Sequence, residues 1–429
     1  MHFIQFNEAN FDIIKKYISF FPNKFKNLEY IVSSSKFLET TSENEYDFLE
    51  PWIQWPSLYT GLKANKHNIF RLGDVEKRND LRNFFNEIDD MGKTIGFISP
   101  MNLINNFNNS PYFIPDPWTK TKVTGNFFIK SLYKTLSYSV NNNSSGKIGL
   151  KNFILFLFAV IFFSKFKYWY LYLKLAFNAL LLKKKWNKAL FLDLFIHNLN
   201  ISLKNKFKPH IGVVFFNSLA HIQHHYFLNS KLINSDKKNP DWYIDSKHDP
   251  IKDALIIFDK IFEYYLNSNE KLFIATALSQ SPANKPVFYY RLKDHKKFLN
   301  KFNIYPKEIL PRMTRDFTLN YENESDCKIS ENLISNIKLS NEKVFNIDNR
   351  GTSLFVTLVY PKEISKQDVF ESNQLKFNAY ENITFVAIKN GIHDQKGYVY
   401  SNLNNIDEKS NIQNIFQIKD FLSKHVSFN

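Results

Sequence analysis

The chain has 429 residues, a hydrophobic fraction of 44% and an aromatic fraction of 17%, values that exclude an intrinsically disordered protein and allow a large buried core. Its single cysteine, Cys327, excludes an internal disulfide and a metal site built from several thiolates. The net charge of +15 is uneven, because residues 147–208 contain twelve lysines and only one acid, Asp193. The N-terminus lacks the basic start and apolar run of a secretory signal, so we expect a cytoplasmic protein.

The N-terminal part of the chain alternates predicted strands and helices. Residues 3–6 form an apolar strand and residues 12–20 a helix, and a loop from residue 49 leads into a helix near residues 57–62. An amphipathic helix over residues 75–91 then precedes a buried strand at residues 94–98. Such alternation favours a mainly parallel sheet with helices on both faces.

The polar run at residues 141–146 predicts a linker that closes the first part of the α/β core, residues 1–146. Residues 147–208 follow as a basic, aromatic helical insertion, in which residues 153–163 are all apolar. That run is shorter than the ~20 residues needed to span a bilayer. Three interpretations stay open: a buried helix with lysines on its wet side, an in-plane contact with an anionic membrane, or a site for an acidic polymer such as a glycan. Nucleic acid is not expected, because no DNA- or RNA-binding signature accompanies the lysines.

The α/β pattern resumes in residues 209–429, the predicted second part of the core, with a polar excursion near residues 320–350. Its main predicted elements are strands at 211–216, 272–275, 353–359 and 383–388, and a helix at 251–265. Two of these strands are followed directly by histidines, which are His221, His224 and His225 after the first and His393 after the last. Open α/β sheets bind ligands at the carboxyl ends of their strands, so these histidines mark a candidate site.

The segment from Glu50 to Gly61 reads EPWIQWPSLYTG, and His67 follows it. Its Thr-Gly pair and the later histidine resemble the segment after the nucleophile in the alkaline phosphatase superfamily, which includes sulfatases and nucleotide pyrophosphatases/phosphodiesterases. In that alignment the nucleophile's place is taken by Pro51, which has no nucleophilic group. Glu50 and Ser57 are the nearest groups that can act in catalysis, and metal-activated water is the alternative. We interpret Gln54 as an amide that hydrogen-bonds to the substrate. Trp52 and Trp55 either line the substrate site or pack in the core.

The same resemblance implies a metal site. Asn217 and His221 are similar to the superfamily's D-x-x-x-H motif, with a neutral amide at the carboxylate position, and His224 offers an alternative nitrogen. His393 resembles the late metal-binding histidine, and Glu8 the acidic ligand that follows the first strand. The implied cofactor is a single zinc or manganese ion.

One landmark of the superfamily is missing. A strand ending in Asp-His should fall at residues 273–280, where neutral side chains stand instead, and Gln280 is the candidate among them for substrate contact. Arg315 is suited to a phosphate or sulfate, with a surface ion pair to Asp316 as the alternative.

Taken together, the resemblance implies an alkaline-phosphatase-like three-layer α/β sandwich with a mainly parallel central sheet and a helical insertion. The implied activity is that of a hydrolase or transferase for phosphate or sulfate esters of small molecules, surface glycans or lipids. The alternative is a non-catalytic binding or regulatory protein on a degenerate form of this fold. The basic insertion adds the inner face of an anionic membrane as an expected location.

Overall fold

The computed structural model of the protein describes residues 1–141, 150–235, 237–312, 315–403 and 412–427. It contains two compact units. The first comprises Met1–Asn234, Asp241–Pro282 and Gly391–Asn429, and the second comprises Ser235–Pro240 and Ala283–Asn390. After Asn141, the predicted linker lies outside the described residues.

The helices are α1 (Phe11–Phe20), α2 (Lys26–Val32), α3 (Pro51–Thr60), α4 (Ala64–His67), α5 (Phe84–Asp90), α6 (Phe127–Asn141), α7 (Leu150–Phe163), α8 (Trp169–Leu180), α9 (Asn187–Phe207), α10 (Ser218–Tyr226), α11 (Pro250–Leu266), α12 (His295–Lys301), α13 (Glu324–Ser335), α14 (Ala379–Asn382) and α15 (Gln417–Ser427). The strands are β1 (His2–Phe6), β2 (Phe37–Thr41), β3 (Ile95–Ile98), β4 (Phe113–Ile114), β5 (Ile211–Phe216), β6 (Leu272–Ala275), β7 (Ser279–Leu292), β8 (Glu308–Pro311), β9 (Asp316–Asn320), β10 (Lys338–Leu339), β11 (Glu342–Lys343), β12 (Phe345–Asn349), β13 (Ser353–Leu358), β14 (Val369–Ser372), β15 (Leu375–Asn378), β16 (Ile383–Asp394) and β17 (Lys396–Ser401).

The first unit is built on a seven-stranded sheet with the order β2-β17-β6-β1-β5-β3-β4. Strand β1 lies in the middle and pairs in parallel with β5 and β6, so that Ile4 stands opposite both Val214 and Ile274. Strand β17 runs antiparallel to its two neighbours. The predicted mixed α/β fold with a large, mainly parallel central sheet is therefore confirmed.

Alternate side chains of the central strands enter two separate cores. Ile4 and Val214 pack on one face with helices α1, α9 and α11. Phe3 and Val213 pack on the other face with α3, α5 and α15. Every residue of β1 and β5 is buried, as expected for parallel strands covered on both faces. These two helix layers and the sheet between them are the three layers of the predicted sandwich.

Helix α3 starts at Pro51, earlier than the predicted helix near residues 57–62. Proline is favoured at the first helical position because its fixed φ suits the helix and its missing N–H needs no partner there. A second proline, Pro56, lies inside α3 and leaves the carbonyl of Trp52 without its helical donor. The Nδ2 amide of Asn102 donates to that carbonyl at 2.8 Å, so the helix continues through the proline with its backbone satisfied.

Two other predicted elements differ in length. The helix expected over residues 75–91 is a 3-10 turn at Asp74–Lys77 followed by α5, because Asn83 caps the start of α5 with its side chain. Strand β16 continues past residue 388 to Asp394 and pairs with β7, so His393 lies within a strand and not in a loop after it.

Helix α7 forms as predicted. It is not a buried helix, because half of its described side chains face solvent, with Phe162 74% exposed. Within the described residues no single helix has both the length and the apolar character to cross a membrane. Residues of α7 and α8 meet that test only as a pair, and they are bent by 118° at the break between them.

The second unit is mostly antiparallel. Its strands form one sheet in the order β12-β13-β9-β8 and another in the order β11-β10-β14-β15. Phe298 on α12 contacts Phe345 and Phe370, one from each sheet, and so joins them in a shared core.

Candidate metal centre

The candidate site lies in the first unit, where β1 and β5 end. Glu8 follows β1, and its backbone has a φ of +51°, a left-handed conformation that is uncommon for a residue other than glycine. The Nε2 amide of Gln223 donates to the Glu8 carbonyl at 2.7 Å, and the backbone N–H of Asn10 donates to Oε1 of Gln223 at 3.0 Å. These bonds hold the Glu8 backbone in the conformation that turns its side chain toward the site.

Three side chains converge there on one point. The Oε2 atom of Glu8 lies 3.1 Å from Nε2 of His224 and 3.1 Å from Nε2 of His393. One ligand atom from each residue lies within 4.8 Å of those of the other two. Glu8 is buried and 8% of the His393 side chain is exposed, whereas His224 keeps a quarter of its side chain exposed, so the cluster opens to solvent on the His224 side.

The helix that carries His224 is fixed at its start by a buried acid. Asp193 of α9 accepts hydrogen bonds from the backbone N–H groups of Asn217 at 3.0 Å and Ser218 at 2.7 Å, at the first turn of α10. A carboxyl group at a helix N-terminus satisfies free N–H groups there. Burial raises the pKa of Asp193 to about 6, although these hydrogen bonds act to lower it.

A glycine brings His393 into place. A Cβ at Gly391, two residues earlier in β16, would collide with Oε1 of Gln280 and lie 3.0 Å from the carbonyl oxygen of Gln223. Only glycine lets β16 approach this closely. Gln280 in turn donates through Nε2 to Oε2 of Glu8 and to the carbonyl of Ala220.

Asn7 orients the second oxygen of Glu8. The indole N–H of Trp55 donates to Oδ1 of Asn7 at 2.9 Å, which leaves the Nδ2 amide of Asn7 to donate to Oε1 of Glu8 and Oδ1 of Asn217, both at 2.8 Å. Because the oxygen of Asn7 already accepts from the indole, the Asn7 amide has only one orientation that keeps its hydrogen bonds.

The electrostatics of the cluster favour an ionised Glu8. Burial raises the pKa of this carboxyl, but the neighbouring His393 and His224 outweigh burial and hold its pKa well below the usual value. On the far side of His393, Nδ1 lies 3.4 Å from Oε2 of Glu50. A carboxylate in this position orients a metal-binding imidazole and makes it a stronger ligand.

The cluster contains three of the residues predicted as ligands: Glu8, His224 and His393. Asn217 lies next to it, bonded to Asn7, and does not reach the point of convergence. His221, the predicted partner of His393, is exposed on α10, and its ring contacts that of His225 with centroids 4.6 Å apart. The N-x-x-x-H spacing pointed to His221, but α10 begins at Ser218 and its geometry turns His224 toward Glu8 instead.

Ser57 was predicted as a catalytic group, and the structure places it in the core of the first unit. Its side chain is fully buried, and its Oγ lies 2.8 Å from Nε2 of His67. The Nδ1 atom of His67 accepts from the backbone N–H of Ile69 at 3.0 Å, so the proton of the neutral ring resides on Nε2. His67 therefore donates to Ser57, which donates to the carbonyl of Ile53, and no base is available to activate the hydroxyl.

The remaining predicted substrate residues have structural partners. Gln54 is fully buried and donates to the carbonyl of Phe48 at 2.7 Å, so its side chain is bonded within the core and not turned toward a substrate. Trp55 is a core anchor, and Trp52 is half-buried and donates to the carbonyl of Phe70 at 3.2 Å. Arg315 belongs to the second unit, where its guanidinium stacks 3.9 Å from the ring centre of Tyr289.

The donor set fits the implied metal. One carboxylate and two imidazoles are the ligands of many catalytic zinc sites, which keep a fourth position open for water or substrate. Asn7 directly follows β1 and Gln223 lies within α10, but neither carried a motif, and sequence reasoning missed their roles.

No protein-family model and no curated protein matches the chain. Among solved structures it is similar to phosphonoacetate hydrolase from Sinorhizobium meliloti 1021 in complex with phosphonoacetate, with a TM-score of 0.43 and 10% identity over 99% of this chain and 95% of that one. It is also similar to human ectonucleotide pyrophosphatase/phosphodiesterase 5, with a TM-score of 0.45 and 10% identity over 100% and 95% of the two chains. TM-scores at this level say nothing about activity or substrate.

Proposed function

We propose that the protein is a metal-dependent hydrolase or transferase of phosphate or sulfate esters, with a single zinc or manganese ion held by Glu8, His224 and His393. The observation that carries the proposal is the convergence of these three side chains at the carboxyl end of β1, with the Glu8 oxygen 3.1 Å from both imidazole nitrogens. A divalent ion there supplies a Lewis acid for an ester oxygen and lowers the pKa of water.

The charge balance of the site suits an anionic ester. One carboxylate and two neutral imidazoles leave a divalent ion with a net charge of about +1. His224 and Glu50 are the parts of the cluster that face solvent, with a quarter and a third of their side chains exposed. A substrate therefore approaches from this side, while Asn7 and Gln280 keep Glu8 in position from within.

The chain's own residues favour attack by water over a covalent intermediate. Pro51 has no nucleophilic group, and the Ser57 hydroxyl accepts a hydrogen bond from His67 and has no base beside it. Glu50, on the far side of His393 from Glu8, can hold the Nδ1 proton of His393.

Metal analysis of the purified full chain tests the proposal. We expect about one zinc or manganese per chain, lost in the Glu8→Gln and His393→Ala variants and in His224→Ala. His221→Ala is the matched control from the same helix and should retain the metal. The loaded protein should hydrolyse an aryl phosphate, an aryl phosphodiester or an aryl sulfate. Metal that is absent, or unchanged in all three ligand variants, would exclude the site.

A non-catalytic binding protein is the second candidate, and the substitution of proline at the nucleophile's place favours it. In that case calorimetry should show metal-dependent binding of inorganic phosphate or sulfate, without turnover of any of the three esters. Turnover that is lost together with the metal in His224→Ala would exclude this candidate.

A further inference from the structure

Helices α7 and α8 expose apolar side chains on one continuous run of turns, which we call the α7–α8 face. On α7 the exposed residues recur at helical spacing and are Phe153, Ile154, Leu157, Phe158, Ile161 and Phe162. On α8 they are Tyr170, Leu173, Phe177 and Leu180. Phe166, in the turn between the helices, is 90% exposed. Apolar residues scattered singly are normal on a protein surface, but eleven of them exposed within residues 153–180 mark an interaction site.

The opposite sides of the same helices are already used. Val160 and Phe163 of α7, and Tyr172 and Leu175 of α8, are buried in the core of the first unit. Each helix therefore packs on the core through one side and exposes apolar side chains on the other. An ordinary amphipathic surface helix exposes polar side chains there.

All the exposed charged residues of α8 and of the segment that directly follows it are lysines. Lys174 lies on α8, and Lys183, Lys185 and Lys188 follow it, all of them exposed. In the described part of the chain none of these four lysines forms an ion pair with a carboxylate. The single acid of the segment, Asp193, is buried beneath the start of α10 and offers no compensating surface charge.

We propose that the α7–α8 face docks on an anionic lipid bilayer, with the helices lying in the plane of the interface. The 14 residues of α7 extend about 21 Å, less than the ~30 Å hydrocarbon core. The 118° bend to α8 keeps the pair from forming one straight span. In-plane helices bury their apolar side chains in the headgroup and acyl boundary, while flanking lysines meet anionic headgroups. A second copy of the chain would bury the same face but would bring two sets of lysines together, which repel each other.

Vesicle flotation tests the proposal with the full chain. The protein should float with phosphatidylcholine vesicles that contain phosphatidylserine, should float less as salt is raised, and should stay unbound with phosphatidylcholine alone. Each lysine near an anionic surface strengthens binding about fivefold, so Lys183→Gln/Lys185→Gln/Lys188→Gln should weaken it on the order of a hundredfold. The matched control removes three exposed lysines of the second unit, Lys296, Lys297 and Lys328, and should bind like the unchanged protein. Equal loss in both triple variants would overturn the proposal, since binding would then follow net charge alone.

Insertion of the apolar side chains is a separate readout. Cys327 is fully buried, so an environment-sensitive thiol dye can be directed to an introduced cysteine at Phe177 and, as control, at Ile329 on α13. The dye at position 177 should shift to shorter wavelength on vesicle binding and be quenched by lipids labelled in the acyl chain, and the dye at 329 should do neither. Absence of quenching at 177, or self-association of the chain without vesicle binding, would contradict the proposal. Neither assay needs a bound metal, so these results are independent of the proposed hydrolase function.

Discussion

The indole N–H of Trp55 donates to Oδ1 of Asn7 at 2.9 Å, and this bond determines which way the Asn7 amide faces Glu8. Trp55, the second tryptophan of the Trp-Ile-Gln-Trp segment, lies in the core. It thus acts on the cluster of Glu8, His224 and His393 through one intervening side chain.

Trp55→Phe keeps an aromatic ring in the core and removes this donor together with part of the buried volume. We expect Asn7 to lose its fixed orientation, so that metal affinity falls about 10–100-fold and the free energy of unfolding falls by about 1–3 kcal/mol. Competition with a chelator and denaturant unfolding measure the two effects. Tyr59→Phe, which also removes one buried donor of α3, is the control and should leave metal affinity unchanged.

Glu50→Gln tests the orientation of His393. The carboxylate lies 3.4 Å from Nδ1, and its replacement by a neutral amide should weaken the imidazole as a ligand and lower metal affinity about 10–100-fold. Glu45→Gln, an exposed acid in the same segment, controls for the change in net charge. If both variants lose affinity equally, the effect is one of overall charge and not of His393.

Gly391→Ala tests the close approach of β16. The added methyl group would collide with Gln280, so either Gln280 leaves Glu8 or the strand moves and takes His393 with it. We expect weaker metal binding and a lower melting temperature. Gly92→Ala is a useful comparison, because it also replaces a glycine but has open space around the new Cβ; its positive φ should lower stability without changing metal affinity.

Ser57→Ala should leave any turnover unchanged. The hydroxyl accepts a hydrogen bond from the His67 N–H and donates one to the Ile53 carbonyl, so its removal leaves a buried N–H unpaired and should cost about 1–3 kcal/mol of stability. Activity measured well below the melting temperature separates the two effects. A loss of turnover comparable to that of Glu8→Gln would show that Ser57 takes part in the reaction.

Acid should destabilise the fold through His67. Burial, with a contribution from the charge of Arg78, lowers the pKa of His67 to about 4 from 6.5 in the unfolded chain. Between these values the unfolded state binds a proton that the folded state does not, so stability falls as the pH falls from about 6.5 to 4, by roughly 3 kcal/mol in all. Denaturant unfolding across this range should show a smaller pH dependence for His67→Asn, whose side-chain oxygen can still accept from Ile69. An unchanged slope would mean that His67 does not carry the effect.

The sequence was a good guide to the sheet because parallel strands covered on both faces are mostly apolar, as β3, β5 and β6 are throughout and β1 is apart from His2 and Gln5. Helix boundaries were harder to predict. The start of α3 depended on reading Pro51 as a first helical residue, and its continuation past Pro56 depends on Asn102, which is distant in sequence.

The site was predictable in its composition and less so in its geometry. Glu8 and His393 could be found because they stand close to strand ends, where ligands collect. The choice between His221 and His224 depends on where α10 begins, and that is decided by Asp193 in another helix. Gln54 and Ser57 were predicted as site residues, but both are buried in α3, and periodicity alone does not reveal such burial in a helix that is apolar on several sides.

The three converging side chains come from the beginning, the middle and the end of the chain. A nascent polypeptide therefore lacks one of them until residue 393 has left the ribosome. Any ion bound there adds its binding free energy only once β1, α10 and β16 have assembled. A chain that stops before β16 has at most two of the three donors, so metal retention would report whether β16 had been made and had joined the site.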